Sequence, residues 1–348
     1  MDIKEYIVQK NATLLEAMNI INKNSRGIVY VCDGKRLIGA LSDGNVRRHI
    51  LEGGSLNETA ENVANKSPKY LHKNSNTNAL IYMKECSITS LPIISDEKEI
   101  VAIKFSNAPD AYDYKQLDVP VVIMAGGKGT RLQPFTNVLP KPLIPIGDKT
   151  ITEHIMDHFK AFGCLDFSMI VNYKKNLIKS YFSELTNYSV SYFEESDFLG
   201  TAGGLKLLEQ DLTKTFFLTN CDVIIDDDYY EIIKHHRETK AIITMVCSLR
   251  NYTIPYGTVK LNKEGNVDSL EEKPSYSFLV NTGLYVIEPK FLKYIPQNTF
   301  IHITDVIDTC ISAGEKVSMY PISENAWMDM GEFGEMKKME KVLSEDRG

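Results

Sequence analysis

An α/β fold with a mixed, mainly parallel sheet is predicted for residues 119–348, with a smaller α+β unit before it over residues 1–115. Three observations carry this prediction. Past residue 119, short β-branched runs alternate with segments of helical period, the order that builds a parallel sheet covered on both faces. Before it, GIVYVCDGKRLIGALSDGN (27–45) matches SLPIISDEKEIVAIKFSN (90–107) at a shift of 63 residues, an internal repeat. Between the two lies NAPDAYDYKQLDVP (107–120), polar, without helical period and carrying Pro109 and Pro120 near its ends. That is the composition of a linker.

In the first unit the repeats run over about 1–57 and 58–115. Each reads as strand, acidic turn, strand, preceded by a helical pattern: Thr13 to Met18 in the first copy, Asn78 to Met83 in the second. One helix and a strand pair cannot bury their apolar faces alone, so the two copies must pack together.

The larger region opens with the strand 119–124 and a helix near 151–162. Thr150 and Glu153 stand at capping-box spacing, Ile151, Ile155, Phe159 and Phe162 form the apolar face, and Gly163 ends the helix. His154 and His158 share an i, i+4 spacing on it but have no third ligand in view, and an exposed helix face is expected. Then follow strand FSMIVNY, helix NLIKSYFSEL, strand VSYFEE, helix AGGLKLLEQ, strand FFLTNCD, helix YYEIIKHHRET and strand AIITMVCSL. An amphipathic helix, EFGEMKKMEKVLSE (332–345), is expected near the end.

Bulk properties narrow the function. The 348 residues are 43% hydrophobic and 24% charged, ordinary for a globular protein. A net charge of −7 with no long basic run argues against nucleic acid as the main partner. No apolar run approaches the ~20 residues that span a bilayer, and the start lacks the blocks of a signal peptide. The six cysteines are scattered without a CxxC pair. A cytoplasmic protein without membrane partners is expected.

The chemistry concentrates in VVIMAGGKGTRLQPFTNVLPKPLIPIGDK (121–149). A buried strand empties into Gly126 and Gly127, where missing side chains let a ligand lie against backbone N–H groups. Lys128, Arg131 and Lys141 follow, more cations than a simple turn needs, and together they suit phosphates. The pattern is neither a P-loop nor the dinucleotide GxGxxG. Ligands of such sheets sit beyond the C-terminal strand ends, where this loop lies.

Extended through TRLQPFTNVLPKPLIPIG, the stretch resembles the signature of the sugar-1-phosphate nucleotidyltransferases. The resemblance implies a Rossmann-like fold of the nucleotide-diphospho-sugar transferase type. It implies nucleotide contacts at Ala125, Gly126, Gly127, Gly129, Thr130 and Arg131. GTAGGL (200–205) resembles the family's second glycine turn, putting Gly200, Thr201, Ala202 and Gly203 near base and ribose, with Glu194 close by. Asp222 of TNCD and Asp329 of WMDMG correspond to ligands of Mg²⁺, although Met330 follows where the family carries a small residue. Gly257 of YGTV, Glu272 and Lys273 of EEKP, and Asn281 and Thr282 of VNTGLYV would form the sugar-phosphate pocket. The catalytic set implied is Arg131, Lys141, Asp222, Lys273 and Asp329.

The repeat of the first unit resembles a tandem CBS pair, most specifically in GALSDGNVRRHI (39–50). In that family a pair such as Ser42-Asp43 holds the ribose of a regulatory nucleotide; the second copy has Phe105-Ser106 instead. Regulation by a nucleotide and a purely packing or dimerising role both stay open, and a homo-oligomer is expected. A CBS pair before such a transferase resembles guanylyltransferases that make GDP-glucosamine from GTP and glucosamine 1-phosphate for legionaminic acid. The alternatives are a mannose-1-phosphate guanylyltransferase, a maker of another (CDP, UDP or dTDP) sugar, or a nucleotide sensor without catalysis. A sensor has no need of both carboxylates and all the cations.

Overall fold

The computed structural model describes residues 3–24, 26–75, 77–105, 116–331, 335–336 and 339. Most of the expected linker (residues 107–115 of 107–120) and most of the expected C-terminal helix therefore lie outside the described residues. The chain divides into two compact units, 1–113 and 114–348.

The first unit holds β1 (Ile7–Gln9), α1 (Leu14–Asn24), β2 (Ile28–Asp33), β3 (Arg36–Ser42), α2 (Asp43–Leu51) and α3 (Ala60–Val63). It continues with β4 (Leu71–His72), α4 (Ala79–Glu85), β5 (Ser90–Ile94) and β6 (Ile100–Phe105). The two three-stranded sheets repeat one pattern: β1–β2 and β4–β5 pair parallel, β2–β3 and β5–β6 antiparallel. They meet through Tyr30 Oη and Ser90 Oγ at 2.5 Å, and through Leu37 N–H donating to Lys98 O at 2.9 Å. Tyr6, Tyr30, Leu37, Ile94 and Ile103 are buried in one cluster. Each half thus covers apolar surface that the other would leave exposed.

The second unit runs β7 (Val121–Ala125), β8 (Pro145–Ile146), β9 (Lys149–Thr150), α5 (Ile151–Ala161), β10 (Asp166–Val171), α6 (Lys175–Ser183) and β11 (Ser189–Glu194). Next come β12 (Phe216–Asn220), β13 (Val223–Ile225), α7 (Tyr229–Thr239), β14 (Ile243–Thr253), β15 (Thr258–Leu261) and β16 (Val267–Glu271). β17 (Ser275–Ile287), α8 (Ile303–Ser312), β18 (Val317–Ile322) and β19 (Trp327–Asp329) complete it. Seven strands form the main sheet in the order β11-β10-β7-β12-β17-β14-β18. All pairings are parallel except the two made by β17.

Along β7, Val121, Ile123 and Ala125 enter one core cluster and Val122 the other, so alternate side chains fill both faces. Each such aliphatic burial contributes about 1.5–3 kcal/mol relative to exposure. α5 starts as its sequence predicts: Thr150 Oγ1 accepts from Glu153 N–H at 3.3 Å, and Glu153 Oε2 accepts from Thr150 N–H at 2.8 Å. Ile151, Ile155, Phe159 and Phe162 are all buried, and Gly163 takes φ +80° after the last turn.

Four sequence expectations are corrected. His154 is not on an exposed face: it is 7% accessible and its Nε2 bonds Ile146 O at 2.9 Å. The segment AGGLKLLEQ forms a 3₁₀ helix over Gly203–Leu208 rather than an α-helix, since Gly203 and Gly204 lack side chains and pack closely on their neighbours. The last strand of the series continues to Thr253, paired with β17 along that length. The end of the expected linker belongs to the core, with Leu117 and Val119 buried and Leu117 N–H bonded to Phe162 O at 2.7 Å. No helix among the described residues is long and apolar enough to cross a membrane.

β7 has β10 on one side and β12 on the other, so the strand order reverses there and a crevice opens beyond the C-terminal ends of β7 and β12.

Candidate active site

The loop after β7 is built to keep its backbone accessible. A Cβ at Gly126 would fall 2.6 Å from Glu195 Oε2, whereas one at Gly127 would meet nothing within 4 Å. Gly126 is therefore small for packing, and Gly127 leaves open space for a ligand. Gly129 adopts φ +62° ahead of the 3₁₀ turn Thr130–Leu132, which presents Arg131 to solvent; Ala125 is buried at the strand end. The loop is pinned by Thr136 Oγ1 donating to Gly129 O (3.0 Å) and Tyr173 Oη donating to Thr136 O (3.2 Å). Lys174 Nζ donates to Asn137 O and Val138 O at 2.6 and 2.7 Å. A second 3₁₀ turn, Lys141–Leu143, sets Lys141 between Pro140 and Pro142.

Asp222 follows β12, and Asp329 ends β19. Antiparallel pairing of β13 with β19 places Val223 opposite Asp329, and Met330 N–H donates to Asp222 O at 2.9 Å. Residues 107 positions apart in sequence thus come side by side. Met330, the departure from a small residue, is fully buried and fills core space. Asp222 is 7% accessible and its Oδ2 accepts from Lys141 Nζ in a close ion pair. Burial first, and then the charge of Asp222, push the Asp329 carboxyl up to about 6 against the pull of Lys141 and Arg131. Asp329 Oδ1 is buried without a hydrogen-bond partner.

Two facing carboxylates, one with an orphaned buried oxygen, suit a hard divalent cation such as Mg²⁺. Among the described residues no group of three or more His, Cys, Asp or Glu converges, so such an ion would take its remaining ligands from water and substrate oxygens.

The second glycine turn is held by the strap 299–303. Gly200 has φ +81°, and a Cβ there would stand 2.5 Å from Ile301 O; one at Gly203 would stand 2.4 Å from Thr299 O. Ala202 N–H donates to Ile301 O (3.1 Å) and Ile303 N–H to Thr201 Oγ1 (3.0 Å). A cavity of about 380 Å³ joins these parts, lined by Arg131, Asp222, Asp329, Thr201, Asn281 and Thr282 among others. Asn281 Nδ2 donates to Tyr285 Oη at 2.6 Å, while the Thr282 hydroxyl is turned to Val246 O at 2.8 Å.

Glu194 and Glu195 divide differently from expectation. Glu194 pairs with Lys175 at 2.7 Å and closely with Lys179, and these lysines hold its carboxyl down at about 2. Glu195, which sequence reasoning missed, is 3% accessible and lies between Gly126 and Gly204, whose added Cβ would sit 2.6 Å from Oε1. Its Oε1 has no partner, and burial pushes its carboxyl up to about 7. No local sequence signal marks it, because Gly126 and Gly204 close around it only in the fold.

His302 and Thr304 also line the cavity and were not singled out from sequence. Trp327 packs on the core with Arg250 over its ring at 4.7 Å, and lines the cavity as well.

Gly257, Glu272 and Lys273 are exposed on the segment carrying β15 and β16, and none of them lines the cavity. Glu272 Oε2 lies 2.9 Å from where a Gly257 Cβ would stand, and Lys273 takes φ +48°. In the first unit, Ser42 caps α2, its Oγ accepting from Asn45 N–H at 3.4 Å. Asp43 opens that helix with Oδ2 3.0 Å from a would-be Gly27 Cβ. Phe105 ends β6, and Ser106 lies outside the described residues.

Residues 120–345 match the family model described as nucleotidyl transferase. The mannose-1-phosphate guanyltransferase of Yarrowia lipolytica is 33% identical over 225 residues, covering 61% of this chain and 60% of that protein. A UTP–glucose-1-phosphate uridylyltransferase of Synechocystis is 30% identical over 236 residues, covering 60% of this chain and 59% of that protein. The chain thus spans about 60% of the length of these curated relatives. In structure it resembles HddC from Yersinia pseudotuberculosis, with a TM-score of 0.52 and 22% identity over 65% of this chain and 99% of that one. At that identity the likeness concerns the fold. With a family model matched along most of its length and the two-carboxylate crevice where the sheet topology puts it, the chain belongs to the nucleotidyl transferase family.

Proposed function

We propose that this protein transfers a nucleoside monophosphate from a nucleoside triphosphate to a sugar 1-phosphate. A phosphate oxygen of the sugar 1-phosphate attacks the α-phosphorus, the bond to the bridging α–β oxygen breaks, and pyrophosphate leaves with that electron pair. The observation that carries the reading is the meeting of Asp222 and Asp329 beside Lys141 and Arg131.

The obstacle is the mutual repulsion of two polyanions. A divalent cation such as Mg²⁺, held by Asp222 and Asp329, supplies charge neutralisation for the reacting phosphates. Arg131, exposed at the cavity, would hold triphosphate oxygens, and Lys141 would stabilise the charge of the departing pyrophosphate. The Gly127 and Gly129 backbone, with Thr130, would cradle the nucleotide, and the 199–203 turn would lie against base and ribose. Asn281 and Thr282 would line the sugar side. Lys273 and Glu272, now on an exposed segment, would complete it from outside the cavity. A phosphate monoester is already largely ionised at neutral pH, so no strong base is needed.

For the base we propose guanine. The fungal relatives are mannose-1-phosphate guanyltransferases by name, and HddC is described in complex with GMP-PN. Glu195, held between the glycine turns with Oε1 unpaired, would on losing its proton accept from the adjacent N1–H and N2 amino donors of guanine, which would favour its charged form against burial. For the sugar we propose glucosamine 1-phosphate, in a legionaminic-acid pathway of the cytoplasm. This rests on the resemblance of the first unit to a CBS pair, in which Ser42-Asp43 would face a regulatory nucleotide. A second reading, mannose 1-phosphate, is favoured by the names of the fungal relatives.

Pyrophosphate release across GTP, CTP, UTP, dTTP and ATP, each with glucosamine, glucose, mannose and N-acetylglucosamine 1-phosphates, tests this. GTP with glucosamine 1-phosphate is expected to dominate. Dominance of mannose 1-phosphate selects the second reading, and silence with nucleotide still bound refutes transfer to these sugars.

A further inference from the structure

The Lys141–Asp222 pair has a consequence for how ligands assemble. Lys141 and Asp222 are only 13% and 9% exposed in their side chains, and the ammonium sits on the oxygen that a cation would share. The backbone of Lys141 is fixed by Pro140 and Pro142 and by the buried Leu143 and Ile144 behind it. Any departure from Asp222 must therefore be made by the flexible four-carbon side chain. A divalent ion on Asp222 beside the ammonium would put three positive charges against two carboxylates, and the like charges would repel strongly in a site of low polarity. Asp329, in contrast, keeps a buried oxygen without a partner, a donor ready for a metal.

We infer that Lys141 holds the cation position on Asp222 in the ligand-free protein and exchanges it for the metal when a triphosphate offers the ammonium another anion. This rests on the proposal that Asp222 and Asp329 are the metal ligands. Metal and nucleotide then bind as a linked pair: the phosphates draw Lys141 away, and the vacated oxygen accepts the metal. When pyrophosphate leaves, Lys141 returns to Asp222 and the metal is released with the product.

The test uses the full chain and Mn²⁺ alone, followed by the electron-spin signal of free Mn²⁺. Without nucleotide, Lys141→Met is expected to bind Mn²⁺ about tenfold or more tighter than wild type, the size of a lost charge-assisted contact. Arg131→Met is the charge control, because Arg131 acts on Asp329 through its charge but does not occupy the Asp222 oxygen as Lys141 does. It is expected to change the affinity much less. Equal tightening in both variants, or none in Lys141→Met, overturns the exchange.

A measurement on wild type stands apart from whether the variant folds. Acetylation of Lys141 by acetic anhydride, read by mass spectrometry, is expected to rise severalfold when Mn²⁺, without nucleotide, is raised high enough to fill the site in competition with the ammonium. Unchanged acetylation with Mn²⁺ demonstrably bound overturns the exchange while leaving the metal site standing. Absence of Mn²⁺ binding in wild type and Lys141→Met, even with GTP present, overturns the metal site itself and the exchange with it.

Discussion

Asp329→Asn should make the ligand-free protein more stable while disabling it. The carboxyl of Asp329 is driven from its ordinary value near 3.8 to about 6, mainly by burial and then by Asp222. Such an acid binds its proton more tightly folded than unfolded. Its stability contribution is therefore complete below pH ~4, is lost as the pH rises from ~4 to ~6, and stays lost above. This rise corresponds to about 3 kcal/mol at 1.36 kcal/mol per pH unit. Because the group is partly accessible, screening reduces this to about 1–2 kcal/mol. An amide of the same shape removes the penalty. Thermal unfolding without divalent ions at pH 8 should then show a melting temperature about 2–6 °C above wild type. The difference should vanish at pH 4. Adding Mg²⁺ together with GTP should stabilise wild type more than the variant, and pyrophosphate release by the variant should fall by orders of magnitude. A variant less stable than wild type at pH 8, or one that keeps its activity, would refute the account of two carboxylates held together for a cation.

The other predictions concern the walls of the site. Gly200→Ala meets a φ of +81° and a contact of 2.5 Å with Ile301 O, so unfolding should show a loss of about 1–3 kcal/mol or more; an unchanged urea midpoint would contradict the packing. Glu195→Gln should keep the fold, since burial already favours the uncharged form, but should reduce the preference for GTP over other triphosphates about tenfold. An unchanged base preference would remove Glu195 from base reading. Lys273→Ala should raise KM for the sugar 1-phosphate about tenfold or more, the scale of a charge-assisted contact. Since Lys273 stands outside the cavity, an unchanged KM would mean that its segment does not reach the substrate.

The strength of the local signals decided how much was readable in advance. Helix α5 was visible from Thr150 to Gly163, because a capping box, an apolar stripe and a C-terminal glycine act within a few residues of one another. The burial of β7 on both faces followed from three adjacent β-branched residues, and the proposal that its loop binds phosphate rests on glycines and cations within one short segment. One-residue questions were not readable in this way. Glu194 and Glu195 differ by a single step, but one ends a strand paired with lysines and the other turns into the space between two glycine turns. His154 has an ordinary helical spacing, and only the nearby carbonyl of Ile146 explains its burial.

By itself, then, the sequence determined the strand–helix alternation, the repeat of the first unit and the glycine-rich loop after β7, all carried by interactions between near neighbours in the chain. The tertiary structure alone decided that β13 pairs with β19 and brings Asp222 to Asp329, that the strap 299–303 clasps the second glycine turn, and that Lys273 stays outside the cavity. Such contacts join residues about a hundred positions apart, and no local propensity encodes them. They form because closing those long loops buries apolar strands such as Val223–Ile225 and satisfies backbone groups that would otherwise be left unpaired.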